Sequence, residues 1–153
     1  MNVRVGILSK RSSLTDEDVV GINNLMKQLS SHAEEISGES VSKVIAGGHI
    51  AMAIDLDAPC GVGFRIVGMA TLLEKRQLMG FFGSIEDVVV DEAYRGQGIA
   101  KKLNQCLIRK AKKLGMRHLD LTSNPKRVAA NKLYDELGYG DRDTRTRRLL
   151  LKT

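Results

Sequence analysis

Aromatic and cysteine residues are scarce in this 153-residue sequence, which has no tryptophan, three tyrosines, three phenylalanines and two cysteines. Cys60 and Cys106 stand alone, and so do the three histidines, so neither a disulfide framework nor a set of metal ligands is indicated. The amino terminus offers only Val3–Leu8 as an apolar run, which is too short for a signal-peptide core or a membrane span. We therefore expect no metal, no membrane partner and a cytoplasmic location.

The charge is strongly positive, with 24 lysines and arginines against 18 acids and a net charge of +6. Such an excess favours encounters with anions, which include nucleic acids, acidic membranes and phosphorylated small ligands. No nucleic-acid partner is expected, because aromatic stacking residues and a helix-turn-helix pattern are lacking. Much of the excess lies in two clusters, for which a solvated surface and a ligand-facing role both stay open: Lys101, Lys102, Arg109, Lys110, Lys112 and Lys113, and Arg142, Arg145, Arg147 and Arg148.

Patterns of apolar residues, caps and turns predict one domain over residues 1–153, in which a mixed sheet is flanked by helices. The predicted strands are Val3–Ile7, His49–Ile54, Arg65–Leu73, Ser84–Val90, His118–Thr122 and Thr144–Leu151. The predicted helices run from a cap at Leu14–Asp18 to about Leu29, over Ser40–Ala46, from Gly98 to Leu114, and from Asn124-Pro125 to Leu137-Gly138. Between them we expect a polar loop at Ser30–Glu39, a hairpin loop at Asp55–Gly63 and a turn at Gly80–Gly83.

A glycine-rich loop, Arg95-Gly96-Gln97-Gly98-Ile99-Ala100, stands between a predicted strand and the strongest predicted helix. Glycines let backbone N–H groups approach a phosphate closely, and a helix amino terminus adds roughly half a positive charge. The Walker pattern is absent, and a dinucleotide fingerprint starting at Gly96 would need a small residue in place of Lys101. Asp120 has the sequence separation of a ribose contact, but it falls inside an alternating strand. The remaining pattern, Arg-x-x-Gly-x-Ala, predicts an anion cradle that suits a pyrophosphate.

Two signatures in the second half of the chain resemble those of the GNAT family of N-acetyltransferases. The first is Ile85–Val90 leading into Arg95–Ala100, and the second comprises Leu121–Pro125, Ala129–Tyr134 and Leu137–Tyr139. The resemblance runs from about residue 65 to residue 150. It implies the family's fold, a single domain with a mixed, mostly antiparallel sheet of six to seven strands flanked by about four helices. It also implies acetyl-CoA (coenzyme A) as the co-substrate.

Acetyl transfer from a thioester needs a neutral amine, whereas a lysine-like amine has a pKa of about 10.4 and is mostly protonated at neutral pH. A base is therefore required. Glu86 lies in a largely apolar strand, where burial could raise its pKa, and it is similar in position to the family's glutamate base. Asp87 would point to the other face of an ideal strand. The alternative for Glu86 is a structural acid at a strand bulge.

The resemblance also implies roles for residues on both sides of the coenzyme. Tyr134 resembles the tyrosine that gives a proton to the departing sulfur, although such a ring taken alone would be placed in the core. The backbone N–H of Val88, freed where the strand splays from its neighbour, could stabilise the oxyanion. Asn131, on the same helix face as Tyr134, resembles the asparagine that binds the pantetheine arm. The implied coenzyme-binding set is Val88, Val89, Val90, Arg95, Gly96, Gln97, Gly98, Ile99, Ala100, Asn124 and Asn131.

The expected acceptor is a primary amine on a small molecule or a protein. The stretch Ile85–Gly98 also resembles glucosamine-6-phosphate N-acetyltransferases, and the basic run Arg142–Arg148 would suit an anionic substrate. A non-catalytic acyl-CoA-binding sensor is an alternative of another class, and the presence of both Glu86 and Tyr134 argues against it. The last predicted strand, Thr144–Leu151, offers an edge that could pair across a homodimer.

Overall fold

Five strands form a mixed sheet in the computed structural model, which describes residues 2–8, 14–60 and 63–151. In chain order they are β1 (Val3–Ile7), β2 (Gly48–Cys60), β3 (Gly63–Gln77), β4 (Gly80–Val90) and β5 (Leu119–Asp120). Each strand pairs with the next, antiparallel from β1 to β4, and β5 joins β4 in parallel. The predicted α/β class with a mixed, mostly antiparallel sheet is confirmed. The predicted count of six to seven strands is wrong for the described residues.

The helices are α1 (Asp16–Leu29), α2 (Gly38–Ala46), α3 (Ile99–Lys113) and α4 (Val128–Glu136), and a 3₁₀ turn covers Glu92–Tyr94. The predicted cap of α1 is present, since the Thr15 hydroxyl accepts from the Asp18 N–H at 3.2 Å. The Asp18 carboxylate accepts from the Thr15 N–H at 3.0 Å in return. Ser37 caps α2 by accepting from the Ser40 N–H at 3.2 Å. This cap explains why α2 begins two residues earlier than predicted, within the predicted loop.

The chain divides into two compact units, Met1–Thr122 and Ser123–Thr153. The first unit contains the whole sheet and helices α1 to α3, and the second contains α4 and the carboxyl-terminal segment. A single domain over the whole chain stays a prediction. Among the described residues, no helix is long and apolar enough to cross a bilayer.

Two apolar layers cover the faces of the sheet in the first unit. On one face, α3 packs Leu103 and Leu107 against Val67 and Leu72, and all four side chains are fully buried. On the other face, the buried side chains of α1 and α2 meet residues such as Met69. The sheet is therefore covered on both faces. The chain leaves the end of β4 and passes through the 3₁₀ turn into α3.

The predicted hairpin loop Asp55–Gly63 is largely strand in the structure. β2 continues to Cys60, which pairs with Gly63 of β3, and the register shifts between Asp55 and Cys60. Residues 61 and 62, which complete this predicted loop, lie outside the described residues. Asp, Pro and Gly indicated a loop because they favour turns, but Asp55 and Cys60 pair with β3 on either side of an irregular stretch.

The predicted turn Gly80–Gly83 is part of β4, and the chain reverses at Leu78 and Met79 instead. Gly83 is a packing residue. A Cβ atom there would lie 2.5 Å from Leu119 Cδ2 and 2.7 Å from Leu72 Cδ1. The glycine therefore permits close approach within the sheet, a role that the sequence does not distinguish from a turn.

Two predictions for the second unit are wrong. Helix α4 begins at Val128 and not at Asn124-Pro125, because the Asn124 side chain accepts from the Lys126 N–H at 2.9 Å and holds a turn before the helix. The described part of Thr144–Leu151 forms no strand, although alternating Thr and Arg residues suit one. Leu149, Leu150 and Leu151 are each more than 80% exposed. A strand needs a hydrogen-bonding neighbour, so homodimer pairing through this segment stays a prediction.

A glycine pair at the start of β2 provides a matched test of the fold. A Cβ atom on Gly48 would lie 2.3 Å from the Leu72 carbonyl oxygen, whereas one on Gly47 would meet nothing within 4 Å. We expect Gly48→Ala to lower the free energy of unfolding by about 1–3 kcal/mol, because the backbone of β3 must move. Gly47→Ala, the control, should change it by less than about 1 kcal/mol. Urea unfolding of both variants measures the difference, and equal values would contradict the close approach of β2 to β3.

Candidate active site

Glu86 lies near the centre of β4, where it pairs with Thr71 of β3. Its carboxylate accepts a hydrogen bond from the Ser84 hydroxyl, two residues earlier on the same face of the strand. Ser84 and Thr71 are buried, whereas Glu86 is partly exposed. A carboxylate held by a hydroxyl and open to solvent can receive a proton from a ligand.

Asp87 does not follow the alternation expected of an ideal strand. Its φ is +53°, and the register of β4 against β3 shifts there, so that Asp87 and Val88 lie opposite Ala70 alone. This is a β-bulge with one extra residue. Burial raises the pKa of Asp87, and Thr71 lowers it in part. The reasoning that turned Asp87 to the face opposite Glu86 assumed a regular strand, which β4 is not at this position, and the direction of Asp87 stays a prediction.

The bulge also sets the faces of the three valines predicted to bind coenzyme. Val89 packs with Met69 on the α1 and α2 face, whereas Val88 and Val90 pack on the α3 face. In the described residues, β5 pairs with β4 only at Gly83 and Ser84. From Ile85 onward that edge of β4 has no strand partner among them, which is the splay that the predicted role of the Val88 N–H requires.

The predicted anion cradle begins at the end of β4. Gly96 and Gly98 have φ of +76° and +72°, and a Cβ atom on either would meet nothing within 4 Å. Gly98 is the N-cap of α3 and provides no side-chain cap to the first N–H groups of the helix. Ile99 is buried in the core, so it and the partly buried Ala100 offer backbone N–H groups and not side chains. Left-handed glycines before an uncapped helix fit an anionic group such as a pyrophosphate.

Asp91 anchors the turn that leads into this cradle. One carboxylate oxygen accepts from the Ala93 N–H at 3.0 Å, and the other accepts from Arg65 at 2.7 Å and from Gln28 at 3.4 Å. The side-chain carbonyl oxygen of Gln28 accepts from the Glu92 N–H at 3.0 Å. Burial alone would raise the pKa of Asp91, but these hydrogen bonds and the Arg65 charge lower it overall. The turn is thereby tied to both β3 and α1.

Tyr94 and Arg95 complete the anchoring. The Tyr94 hydroxyl donates to Asp55 at 2.9 Å, and the Arg65 guanidinium lies 5.5 Å from the centre of the Tyr94 ring. The Arg95 Nε donates to the Val90 carbonyl at 3.2 Å. This bond holds the Arg95 side chain, predicted to bind phosphate, against the end of β4. Arg65, Gln28 and Asp55 were not predicted. An acid at the end of a strand was a signal for Asp91, but no sequence pattern identifies its partner on α1.

In the second unit, Tyr134 is buried and its ring meets that of Tyr139 edge to face, with 5.9 Å between the ring centres. Burial raises the pKa of Tyr134, although Arg127 lowers it in part. Burial and the neighbouring Tyr134 raise the pKa of Tyr139 to about 12. Tyr134 therefore keeps its proton at neutral pH, as a proton donor must.

The two asparagines predicted to bind coenzyme, Asn124 and Asn131, are joined by a hydrogen bond from the Asn131 side chain to the backbone. Asn131 Nδ2 donates to the Asn124 carbonyl at 3.0 Å and lies 3.4 Å from the Pro125 carbonyl. These bonds hold the turn before α4. Glu86 and the cradle lie in the first unit, and Asn124, Asn131 and Tyr134 lie in the second. Among the described residues, no group of three or more acidic, histidine or cysteine side chains could hold a metal ion.

Comparison with known proteins identifies the family of this chain. The pattern of the acetyltransferase (GNAT) family matches residues 60–139, which include both β4 and the cradle. The chain belongs to this family. A glucosamine 6-phosphate N-acetyltransferase of Trypanosoma brucei brucei is 30% identical over 123 residues, which are 72% of this GNAT chain and 82% of that protein.

Solved structures are similar to this GNAT chain over nearly its whole length. An acetyltransferase of Trypanosoma brucei is 25% identical, with a TM-score of 0.74 over 97% of this chain and 100% of that one. A glucosamine-6-phosphate N-acetyltransferase of Arabidopsis thaliana is 18% identical, with a TM-score of 0.76 over 97% and 99%. An aminoglycoside acetyltransferase from an uncultured soil metagenomic sample is 16% identical, with a TM-score of 0.79 over 98% and 97%. The last two show the fold alone.

Proposed function

We propose that this GNAT chain is an acetyl-CoA-dependent N-acetyltransferase that moves the acetyl group to a primary amine by direct attack in a ternary complex. The observation that carries the proposal is the cradle, in which Gly96 and Gly98 lead an uncapped helix and Asp91 fixes the preceding turn. The pyrophosphate of coenzyme A suits such a site, because backbone N–H groups and the helix dipole both favour an anion. Arg95 would add a positive charge beside it.

Each further residue has a separate task in this reaction. Glu86 accepts the proton of the ammonium group and so produces the neutral amine that can attack. The Val88 N–H stabilises the oxyanion that develops on the carbonyl. Tyr134, protonated at neutral pH, gives a proton to the departing sulfur. Asn124 and Asn131 would hold the pantetheine arm.

A phosphorylated amino sugar is the acceptor to test first. The curated relative that shares 30% identity over most of its length is a glucosamine 6-phosphate N-acetyltransferase. A net charge of +6 and the exposed arginines between Arg142 and Arg148 also favour an anionic substrate. A cytoplasmic location remains a prediction alongside this proposal.

The proposal is tested first by calorimetric titration with acetyl-CoA, CoA and NAD. We expect micromolar binding of both CoA species and none of NAD. Gly98→Ala and Arg95→Ala should each weaken CoA binding by about tenfold or more, because the cradle loses its geometry or its charge. Gly115→Ala is the matched control, since Gly115 ends α3 with φ of +75° and equally open space. Both alanines are strained alike, but only the one at Gly98 should affect the ligand.

Release of free thiol then identifies the acceptor. The panel contains glucosamine 6-phosphate, glucosamine, a polyamine, an aminoglycoside and a lysine-containing peptide. Absence of CoA binding by the wild-type protein would refute the proposal. CoA binding without thiol release from any amine would favour the acyl-CoA-binding sensor instead.

A further inference from the structure

Gln28 joins α1 to the turn that leads into the cradle. Its side-chain oxygen accepts from the Glu92 N–H at 3.0 Å, and its Nε2 donates to Asp91 Oδ2 at 3.4 Å. The residue is the last but one of α1, and it is partly buried. Both ends of one amide are therefore used, which fixes the direction of the side chain as well as its distance from the turn.

The same helix covers the face of the sheet on which Glu86 lies. Ile50 of β2 pairs with Thr71 of β3, and Thr71 pairs with Glu86 of β4, so these side chains share one face. Ile50 packs there with Ile22 and Leu25 of α1. An amine that reaches the Glu86 carboxylate therefore arrives on the side of the sheet that α1 covers.

Asn23 attaches α1 to the loop that follows it. Its buried side chain donates to the Ile36 carbonyl at 2.8 Å and to the Val19 carbonyl at 2.9 Å, and it accepts from the Ile36 N–H at 2.8 Å. Side-chain amides thus tie α1 both to the loop before α2 and to the turn before the cradle. A shift of α1 is passed to both attachments, because packed elements joined in this way move together.

The turn that Gln28 holds sets the position of the anion cradle. Asp91 caps this turn, Arg95 ends it, and Gly96 follows directly. The hydrogen bonds of Gln28 reach the first two residues of the turn, Asp91 and Glu92. The place of the α1 amide therefore affects the place of the backbone N–H groups that are proposed to bind the pyrophosphate.

We propose that Gln28 is a positioning residue that couples the acceptor site to the coenzyme cradle, so that each substrate strengthens the binding of the other. The inference rests on the proposed N-acetyltransferase function. An acceptor at Glu86 that orders α1 also orders the Gln28 amide and the turn before the cradle. Bound coenzyme orders the same elements from the other end, because coupling between two sites is reciprocal. The second ligand then binds a protein that the first has already ordered.

The chemistry of the contact requires an amide. Gln28 needs an acceptor for the Glu92 N–H and a donor for the Asp91 carboxylate. Burial alone would raise the pKa of Asp91, but its hydrogen bonds and the Arg65 charge lower it overall. Arg65 donates from β3 to the same oxygen as Gln28, and the exposed Lys27 precedes Gln28 on α1. A carboxylate in place of the amide would lose the donor and bring a second negative charge to Asp91.

Gln28→Ala tests the coupling. For the wild-type protein, we expect a saturating amount of the amine that it acetylates fastest to lower the Kd for CoA by at least about fivefold. In Gln28→Ala the same amine should lower this Kd by less than about twofold, although CoA still binds. Asn24→Ala, which truncates an exposed amide on the same helix, is the matched control and should keep the wild-type factor. Calorimetric titration with CoA, in the presence and absence of the amine, gives each factor.

The ratio of the two Kd values separates coupling from a general loss of stability. A side chain that only stabilised the fold would lower Tm and would weaken CoA binding equally with and without the amine. All titrations are therefore made well below the Tm of each variant. Equal factors in the wild type and Gln28→Ala would overturn the proposal. A wild-type protein in which the amine leaves the Kd for CoA unchanged would overturn it as well.

Gln28→Glu gives a second readout through pH. At pH 8 the introduced carboxylate is ionised beside Asp91, and we expect the Kd for CoA to be about tenfold that of the wild type at the same pH. The charge of Asp91 raises the pKa of the introduced acid above its ordinary value of about 4.3. Near pH 5 the acid gains a proton and with it a donor, so the ratio should fall to within about threefold. A ratio that is the same at pH 5 and pH 8 would contradict the role of Gln28 as a donor.

The role of Gln28 and the proposed function fail in different ways. A wild-type protein that does not bind CoA, or that acetylates no amine, refutes the proposed function and the coupling with it. Acetylation by the wild type together with unaltered coupling in Gln28→Ala refutes the role of Gln28 alone and leaves the proposed function intact.

Discussion

Replacing Glu86 by glutamine is expected to lower kcat by at least about 100-fold while the Kd for CoA stays within about twofold of the wild-type value. Glutamine keeps the size of the side chain and can still accept from the Ser84 hydroxyl. It cannot take up the proton that the ammonium acceptor must lose. The loss should therefore appear in turnover and not in coenzyme binding, which uses the separate cradle at Gly96–Gly98.

Two measurements separate this effect from a general disturbance of β4. Thiol release at saturating acetyl-CoA gives kcat, and calorimetry gives the affinity for CoA. Glu35→Gln, which alters an exposed acid between α1 and α2, should leave both unchanged. A Glu86→Gln protein with near wild-type turnover across the pH range would remove Glu86 from the mechanism.

Asp91→Ala is expected to lower the free energy of unfolding by about 2–3 kcal/mol at pH 7 and to weaken CoA binding by about tenfold or more. The carboxylate accepts from a backbone N–H, from Arg65 and from Gln28, and the side chain of Asp91 is largely buried. Its removal leaves these donors without their acceptor. The turn between β4 and the cradle would then lose its attachment to β3 and α1.

The pH dependence distinguishes this network from simple packing. The pKa of Asp91 is lowered in the folded protein, so its stabilisation is present above the unfolded pKa of about 4 and is lost as pH falls through the folded value. The difference in the free energy of unfolding between wild type and Asp91→Ala should therefore be constant from about pH 5 to 8 and shrink in stronger acid. Urea unfolding at several pH values measures it. A difference that persists unchanged at pH 2 would show that packing and not charge holds the turn.

Features with a local sequence signature were predictable. The glycines of the cradle lie in a short turn between a strand and a helix, where positive φ is favoured by glycine. Gly96 and Gly98 have that conformation in the structure. The cap of α1 and the helical period of α3 are likewise encoded within a few residues. The two GNAT signatures gave the family for the same reason, since each lies in one short stretch.

Features that depend on distant residues were not predictable. A strand bulge near Glu86 was an open alternative from the sequence, but its position at Asp87 appears only when β4 is paired with β3. Gln28 meets Asp91 across 63 positions of the chain, so no spacing rule connects them. The last predicted strand had suitable residues at Thr144–Leu151, but composition does not provide a neighbouring strand.

The bulge in β4 also determines which side chains of this strand face which layer. Because Asp87 is an extra residue, an odd-numbered position, Ile85, faces α3 before it, whereas even-numbered positions, Val88 and Val90, face α3 after it. Deleting Asp87 would give a regular strand and leave Val88 and Val90 on the α3 face and Val89 on the face of α1 and α2. A regular strand of the present length would instead exchange the faces of these valines, so the bulge lets β4 carry one residue more than the sheet needs without moving them.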